Sequence, residues 1–167
     1  MLKEINSLGV FFEDCYREIS VREYAREMKI SPPTASKTLK AFAKEGLLLS
    51  REDRGFILFR TNRESKIMEL LSLIYWQTKL KELFDFLEEE FFSDAIILFG
   101  SLSKLEVREE SDIDLAVITK HKKELKLDTF EKKYKRKIQL FVYPSLDKIN
   151  KGLRLNISKG HLARGFL

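Results

Sequence analysis

From Asn62 to Phe92 the chain carries neither glycine nor proline, and Ile67, Leu70, Leu71, Ile74, Leu80, Leu83, Phe84 and Leu87 recur at steps of three and four. Residues three and four apart share one face of a helix. The spacing therefore predicts a helical connector, either one long helix or two joined near residues 77–79. Such a segment divides the chain. The 167 residues suffice for one ordinary domain or two small ones, and the patterns on the two sides differ. The expected fold class is α+β: a domain over residues 1–62, a connector over 63–92, and a small α/β domain with a mixed sheet over 93–167.

In the first part, "INSLGVFFEDC" has helical spacing and predicts a helix from Ile5 to about Arg17. Ser20 and Glu23 form an S-x-x-E capping box for a second helix, with Val21, Tyr24, Ala25 and Met28 on one face. Ser31 caps a third helix, Pro32 takes its first position, and Gly46 suits a left-handed stop. Ala35, Leu39 and Phe42 then point inward, while Thr34, Ser36, Lys37 and Lys40 face out. "LLLSREDRGFILFR" reads as a hairpin turning near Gly55. Helix, helix-turn-helix and hairpin in this order resemble the winged-helix DNA-binding domains of transcription regulators, over about residues 2–61. That resemblance implies Thr34, Ser36, Lys37 and Lys40 as contacts to double-stranded DNA, with Arg51 and Arg54 on the wing. It also implies a homodimer, for which the connector offers an apolar face.

The bulk numbers narrow the classes. The formal charge of +5 favours an anionic partner such as nucleic acid or nucleotide phosphate. Cys15 is the one cysteine, so an intramolecular disulfide and a cysteine zinc cluster are excluded, in keeping with a reducing cytoplasm. The N-terminal stretch carries acids within its apolar run, unlike a secretory signal. The longest apolar runs fall well short of the roughly 20 residues that cross a bilayer. His121 and His161 lack partners at metal-ligand spacing and read as surface residues, Cys15 as core, and Trp76 as packing. The basic run "KKYKRK", Lys132–Lys137, reads as a solvated loop before a strand.

In the last part "AIILFG", "DIDLAVI" and "KIQLFVYP" read as strands, with short helices expected in "SLDKINKGL" and "ISKGHLARGFL". The stretch "LFGSLSKLEVREESDIDLAVI" carries the chemistry. Strand alternation puts Asp112 and Asp114 on one face, where two close carboxylates repel and are costly to bury unpaired. A divalent cation resolves both problems, and hard oxygen ligands suit Mg²⁺ or Mn²⁺. Gly100 and Ser101 end a strand and open a turn whose amides and hydroxyl can meet a phosphate, with Lys104 and Arg108 as further cationic contacts.

This stretch resembles the signature of the DNA polymerase β-like nucleotidyltransferase superfamily, most closely its minimal nucleotidyltransferases. The resemblance covers about residues 93–142. It implies Mg²⁺-dependent transfer of a nucleoside monophosphate from a nucleoside triphosphate to a hydroxyl, with Gly100 and Ser101 on phosphate and Asp112 and Asp114 on metal. It also brings a small helical toxin-type protein into view as a partner, on the family's habits alone. Two departures stand out. Lys104 and Leu105 occupy the places where the family commonly has Arg-Gly. The strand "KIQLFVY" offers Gln139 where active members carry a third carboxylate, and a neutral amide cannot act as base. Two functions follow: a nucleotidyltransferase that carries its own DNA-binding domain, either impaired at Gln139 or served by the acid pair alone with water or a substrate phosphate taking the proton; or a transcription regulator whose nucleotidyltransferase-like part only binds a nucleotide or a partner.

Overall fold

The computed structural model describes residues 2–121 and 123–166, the side chain of Leu2 excepted. The chain divides into two compact units, Met1–Ser72 with Leu105–Glu109, and Leu73–Lys104 with Glu110–Leu167. No helix among the described residues is long and apolar enough to cross a membrane.

The first unit begins with α1 (Leu2–Ser7) and α2 (Gly9–Glu13). The single helix expected to reach Arg17 is instead two short ones. The chain is interrupted between Ser7 and Gly9 and leaves the helical region at Asp14, whose carboxylate accepts the amides of Tyr16 and Arg17. β1 (Ile19–Ser20) leads into α3 (Val21–Glu27). The capping box forms as the spacing requires: Ser20 Oγ accepts from the Glu23 amide at 3.3 Å, and Glu23 Oε2 from the Ser20 amide at 2.8 Å. α4 (Pro32–Lys44) starts on Ser31, whose Oγ accepts from the Thr34 amide, and stops before Gly46 at φ +73°. Ala35, Leu39 and Phe42 are its buried stripe.

β2 (Leu48–Asp53) and β3 (Phe56–Thr61) pair as an antiparallel hairpin, and β1 adds to the outer edge of β3, giving the order β1-β3-β2. The two turn residues, Arg54 and Gly55, both have positive φ, +49° and +80°. That is the geometry two-residue hairpins prefer, and the arginine bears a backbone cost that an asparagine or glycine would avoid.

α5 (Lys66–Lys79) and α6 (Lys81–Phe91) are separated at Leu80, so the connector is two helices broken a residue beyond the expected joint. The second unit's sheet contains β4 (Ala95–Phe99), β5 (Ile113–Ile118), β6 (Ile138–Tyr143) and β7 (His161–Gly165), in the order β6-β5-β4-β7. β4 is antiparallel to β5 and β7, whereas β5 and β6 run parallel, with α7 (Asp128–Tyr134) in the crossover. The two central strands are almost wholly buried, which explains their unbroken apolar runs. One face carries Ala95, Ile97, Phe99, Ala116 and Ile118, packed with Ile157 of α8 (Lys151–Ser158). The segment "ISKGHLARGFL", expected as a short helix, instead holds a strand at His161–Gly165: α8 ends at Ser158 and β7 pairs with β4 through Leu98 and Ile97. An edge strand with one apolar face over a bulge carries too little alternation for the pattern to show.

Candidate active site

β4 and β5 meet so that Phe99 lies opposite Asp114, and β5 and β6 so that Asp114 lies beside Gln139. Alternation then puts Asp112, Asp114, Ala116 and Ile118 on one face, with Gln139, Phe141 and Tyr143 next to them. The apolar members close the core and the polar ones stand at its end. Asp114 is the one residue of β5 that is not fully buried.

Gly100 follows Phe99 with φ +72° and opens a turn of 3-10 helix through Ser103. A Cβ at residue 100 would lie 2.1 Å from Asp114 Oδ2, so the backbone presses against that carboxylate and glycine alone fits. Ser103 Oγ donates to the Gly100 carbonyl at 2.9 Å, and the Lys104 amide to that of Ser101, which fixes the turn. Ser101 is partly exposed at its head.

Burial pushes the Asp114 carboxyl up to about 6, the Asp112 charge adds to this, and the Lys104 ammonium opposes it. Two acids and one cation thus sense one another here. Gln139 Nε2 donates to Asp112 Oδ2 at 2.6 Å, so the neutral amide faces the acid pair from the third strand. Asp128 and Glu131 do not take that place. Glu131 accepts from the Ile138 amide and Lys137 Nζ, at 3.0 and 2.9 Å, which holds its carboxyl low. No group of three or more His, Cys, Asp or Glu able to hold a metal occurs among the described residues. The donor set present, two carboxylates and an amide oxygen on one face, fits one hard divalent cation completed by phosphate and water oxygens.

One residue of the site escaped the sequence. Arg136 lies within the basic run yet is buried, and its Nη1 donates to the Ser111 carbonyl at 2.7 Å, one residue before Asp112. Its guanidinium also lies 5.4 Å from the centre of the buried Trp76 ring. The Ile113 amide donates to the Lys137 carbonyl at 2.8 Å. The run is therefore not a uniform solvated loop: Lys132, Lys133, Lys135 and Lys137 are exposed, while Tyr134 and Arg136 are inside. Only the alternation of bulky residues within the run could have signalled this.

The remaining residues singled out fall in the first unit. Arg108 lies there, its guanidinium 3.8 Å from the centre of the Tyr16 ring. Thr34, Lys37 and Lys40 are exposed on α4, Ser36 is half-buried, and Thr34 Oγ1 is 2.8 Å from Ser31 Oγ. Arg54 is exposed at the hairpin tip, whereas Arg51 makes a bidentate pair with Glu18, at 2.8 and 2.5 Å. Arg54 and Asp53 line an apolar cleft of about 620 Å³ with Val21, Pro32 and Phe56.

Comparison with known families finds that residues 78–161 match the family described as Polymerase beta, Nucleotidyltransferase. Comparison with curated proteins and with solved structures gives no match.

Proposed function

The chain belongs to the polymerase β nucleotidyltransferase family, and from that premise we propose that its second unit binds a nucleoside triphosphate and a divalent cation but transfers the nucleotidyl group slowly. Asp112 and Asp114 would hold Mg²⁺ or Mn²⁺, and Gly100, Ser101 and Lys104 the phosphates. Arg108 was a further candidate for the phosphates, and its stacking on Tyr16 speaks for a different use. When bound, the cation would neutralise the acid pair and polarise the phosphoryl group.

The observation that carries this reading is the 2.6 Å hydrogen bond from Gln139 Nε2 to Asp112 Oδ2, beside Asp114 in the sheet register. Transfer forms a bond from the acceptor oxygen to the α-phosphorus and breaks the bond to pyrophosphate, so the acceptor must lose a proton. An amide cannot take it near neutral pH, which leaves water or a phosphate oxygen. Calorimetry with Mg²⁺ and α,β-methylene nucleoside triphosphates tests the binding. Wild type should bind and Asp112→Ala should not; a wild type that binds none of the four nucleotides refutes the reading. Labelled triphosphates with an acceptor mixture should give weak transfer that Asp112→Ala abolishes.

We further propose that residues 1–62 form a winged helix that binds double-stranded DNA, with residues 63–92 as connector and 93–167 as nucleotidyltransferase domain. The order helix, strand, helix, turn, helix and hairpin supports it, as do exposed Lys37 and Lys40 on one side of α4. Lys37, Lys40 and Arg54 would contact phosphate, with Thr34 and Ser36 near base edges, while the Glu18 pair weakens the case for Arg51. A regulator that only senses nucleotide is the second reading, favoured by the same Gln139 contact; transfer activity discriminates the two. A homodimer and a toxin-type protein partner belong to the proposal by family resemblance alone, as does a cytoplasmic location.

A further inference from the structure

The second unit's sheet has two outer strands, β6 and β7, and their edges differ. At β7 the Ala163 carbonyl accepts from Gln77 Nε2 at 3.1 Å, and Arg164 pairs with Asp85 at 2.6 Å. Side-chain cover and charge of this kind keep an edge from pairing further. β6 has no charged residue, and its apolar side chains are all half-buried. The Ile113 amide donates to the Lys137 carbonyl at 2.8 Å, and the Thr119 amide to the Tyr143 carbonyl at 2.9 Å. In a parallel pair this parity turns the backbone groups of Gln139, Phe141 and Tyr143 toward β5, and those of Ile138, Leu140 and Val142 away from it. Glu131 Oε1 takes the Ile138 amide at 3.0 Å. Among the described residues nothing takes the amides and carbonyls of Leu140 and Val142. Both residues line a groove of about 550 Å³ along the edge, with Leu125, Leu127, Lys123 and Lys126.

We propose that β6 is a dimer interface: it pairs antiparallel with β6 of a second copy about a two-fold axis at Phe141. Such a contact needs a strand complementary to itself. With Leu140 opposite Val142, both residues exchange both outward backbone groups with the other copy. Either neighbouring register sets Val142 against Ile138, whose amide Glu131 holds, or Leu140 against Pro144, which has no amide. The favoured register puts Phe141 opposite its own copy at the axis, a stabilising cross-strand aromatic pair. The ends match in charge. Lys135 and Asp147 lie equally far from Phe141 along the chain, so the exposed Lys135 of one copy comes to the Asp147 end of the other. The Asp147 side chain is 91% exposed, beside Arg154 at 3.5 Å. The register also sets Tyr143 of each copy opposite Gln139 of the other, on the face that carries Asp112 and Asp114. The second copy therefore borders the candidate site, whatever the acids bind.

Sedimentation velocity of the full chain across micromolar concentrations reads the dimer, and hydrogen–deuterium exchange at Leu140 and Val142 reads the strand. The chain should dimerise, and both amides should slow as it does. Val142→Pro removes an outward amide and leaves the bonds to β5 in place, and Val142→Lys sets like charges at the interface. Each should raise the dissociation constant about tenfold or more. The fluorescence melt of Trp76, the chain's one tryptophan, reports whether the second unit still folds; where Val142→Pro does not, Val142→Lys decides. Gln139→Cys and Tyr143→Cys chains, mixed and mildly oxidised, should cross-link to each other and neither to itself, because opposed residues of a non-hydrogen-bonded pair have Cα atoms about 4.5 Å apart. Cys15 is buried and does not compete. Ile67→Glu, on the exposed side of α5, should leave the dimer intact. A monomeric wild type, a dimer that Val142→Lys leaves unchanged, or one that Ile67→Glu breaks overturns the proposal. Failure of the mixed chains to cross-link, or cross-linking of either variant with itself, overturns the register.

Discussion

Asp114→Asn should make the metal-free protein more stable above pH 7 and remove a pH dependence that wild type shows in weak acid. Asp114 is half-buried, faces Asp112, and titrates at about 6 instead of near 3.8. The folded state thus holds this proton more tightly than the unfolded chain does. Between about pH 4 and 6 the folded protein binds more protons, so stability falls as pH rises through that window and is flat above it. The full difference corresponds to about 3 kcal/mol at 1.36 kcal/mol per pH unit, and partial solvent access brings it down to about 1.5. Asparagine keeps the shape and removes the charge. In EDTA the variant should therefore melt several degrees, roughly 5–10 °C, above wild type at pH 8, and the two should converge at pH 4. Other carboxylates pull the opposite way: Arg164 and Lys81 hold Asp85 low, and such groups lose stability on acidification. The quantity to follow is thus the difference between wild type and variant, read by Trp76 fluorescence. Mg²⁺ at ten times its dissociation constant should then restore about 1.4 kcal/mol to wild type and nothing to Asp114→Asn. A difference that is constant from pH 4 to 8 would refute the argument, since burial and the neighbouring acid would then not be acting on Asp114.

Gly100→Ala sets a methyl 2.1 Å from Asp114 Oδ2 at φ +72°; it should cost about 1–2 kcal/mol from the backbone and abolish Mg²⁺ binding in calorimetry by turning the carboxylate aside. Gln139→Glu supplies the third carboxylate beside Asp114; it should strengthen Mg²⁺ binding at least tenfold, about 1.4 kcal/mol, raise labelled-nucleotide transfer about 10²-fold, and lower the melting temperature in EDTA. Arg136→Met removes the donor at 2.7 Å from the Ser111 carbonyl and should cost about 1–3 kcal/mol, with a shifted Trp76 emission because the guanidinium leaves the ring. Lys40→Ala should weaken DNA binding evenly across sequences and reduce the salt slope by about one, measured by fluorescence anisotropy from 50 to 200 mM salt.

Local chemistry made part of the fold readable. The Ser20–Glu23 box and the Ser31, Pro32 and Gly46 signals each act within a few residues; α3 begins, and α4 begins and ends, where they indicate. The acid pair was readable for the same reason, since alternation is a short-range property. The break after Ser7 and the strand at His161–Gly165 depend on what packs against them, and propensity says little about that. Gln139 was visible as a neutral residue on a third strand, but its register beside Asp114 comes only from sheet pairing. Arg136 was hidden in a run of exposed lysines, and its burial follows from Trp76, sixty residues earlier in the chain. The close approach of Gly100 to Asp114 joins two readable residues by a contact that neither advertises.

The split of the first unit around residues 73–104 bears on how the protein is made and how it can be dissected. On the ribosome, Met1–Ser72 emerges first but lacks Leu105 and Val107, so its core closes only after α6, β4 and the phosphate turn have been synthesised. A fragment cut after residue 62 or 72 would omit two fully buried side chains and the carbonyl that receives the Cys15 amide. Losses of that kind cost about 2–5 kcal/mol for each large aliphatic group. DNA affinity measured on such a fragment would describe an incomplete core, and a longer fragment ending near Glu110 would have to carry β4, one of the second sheet's four strands, without its partners.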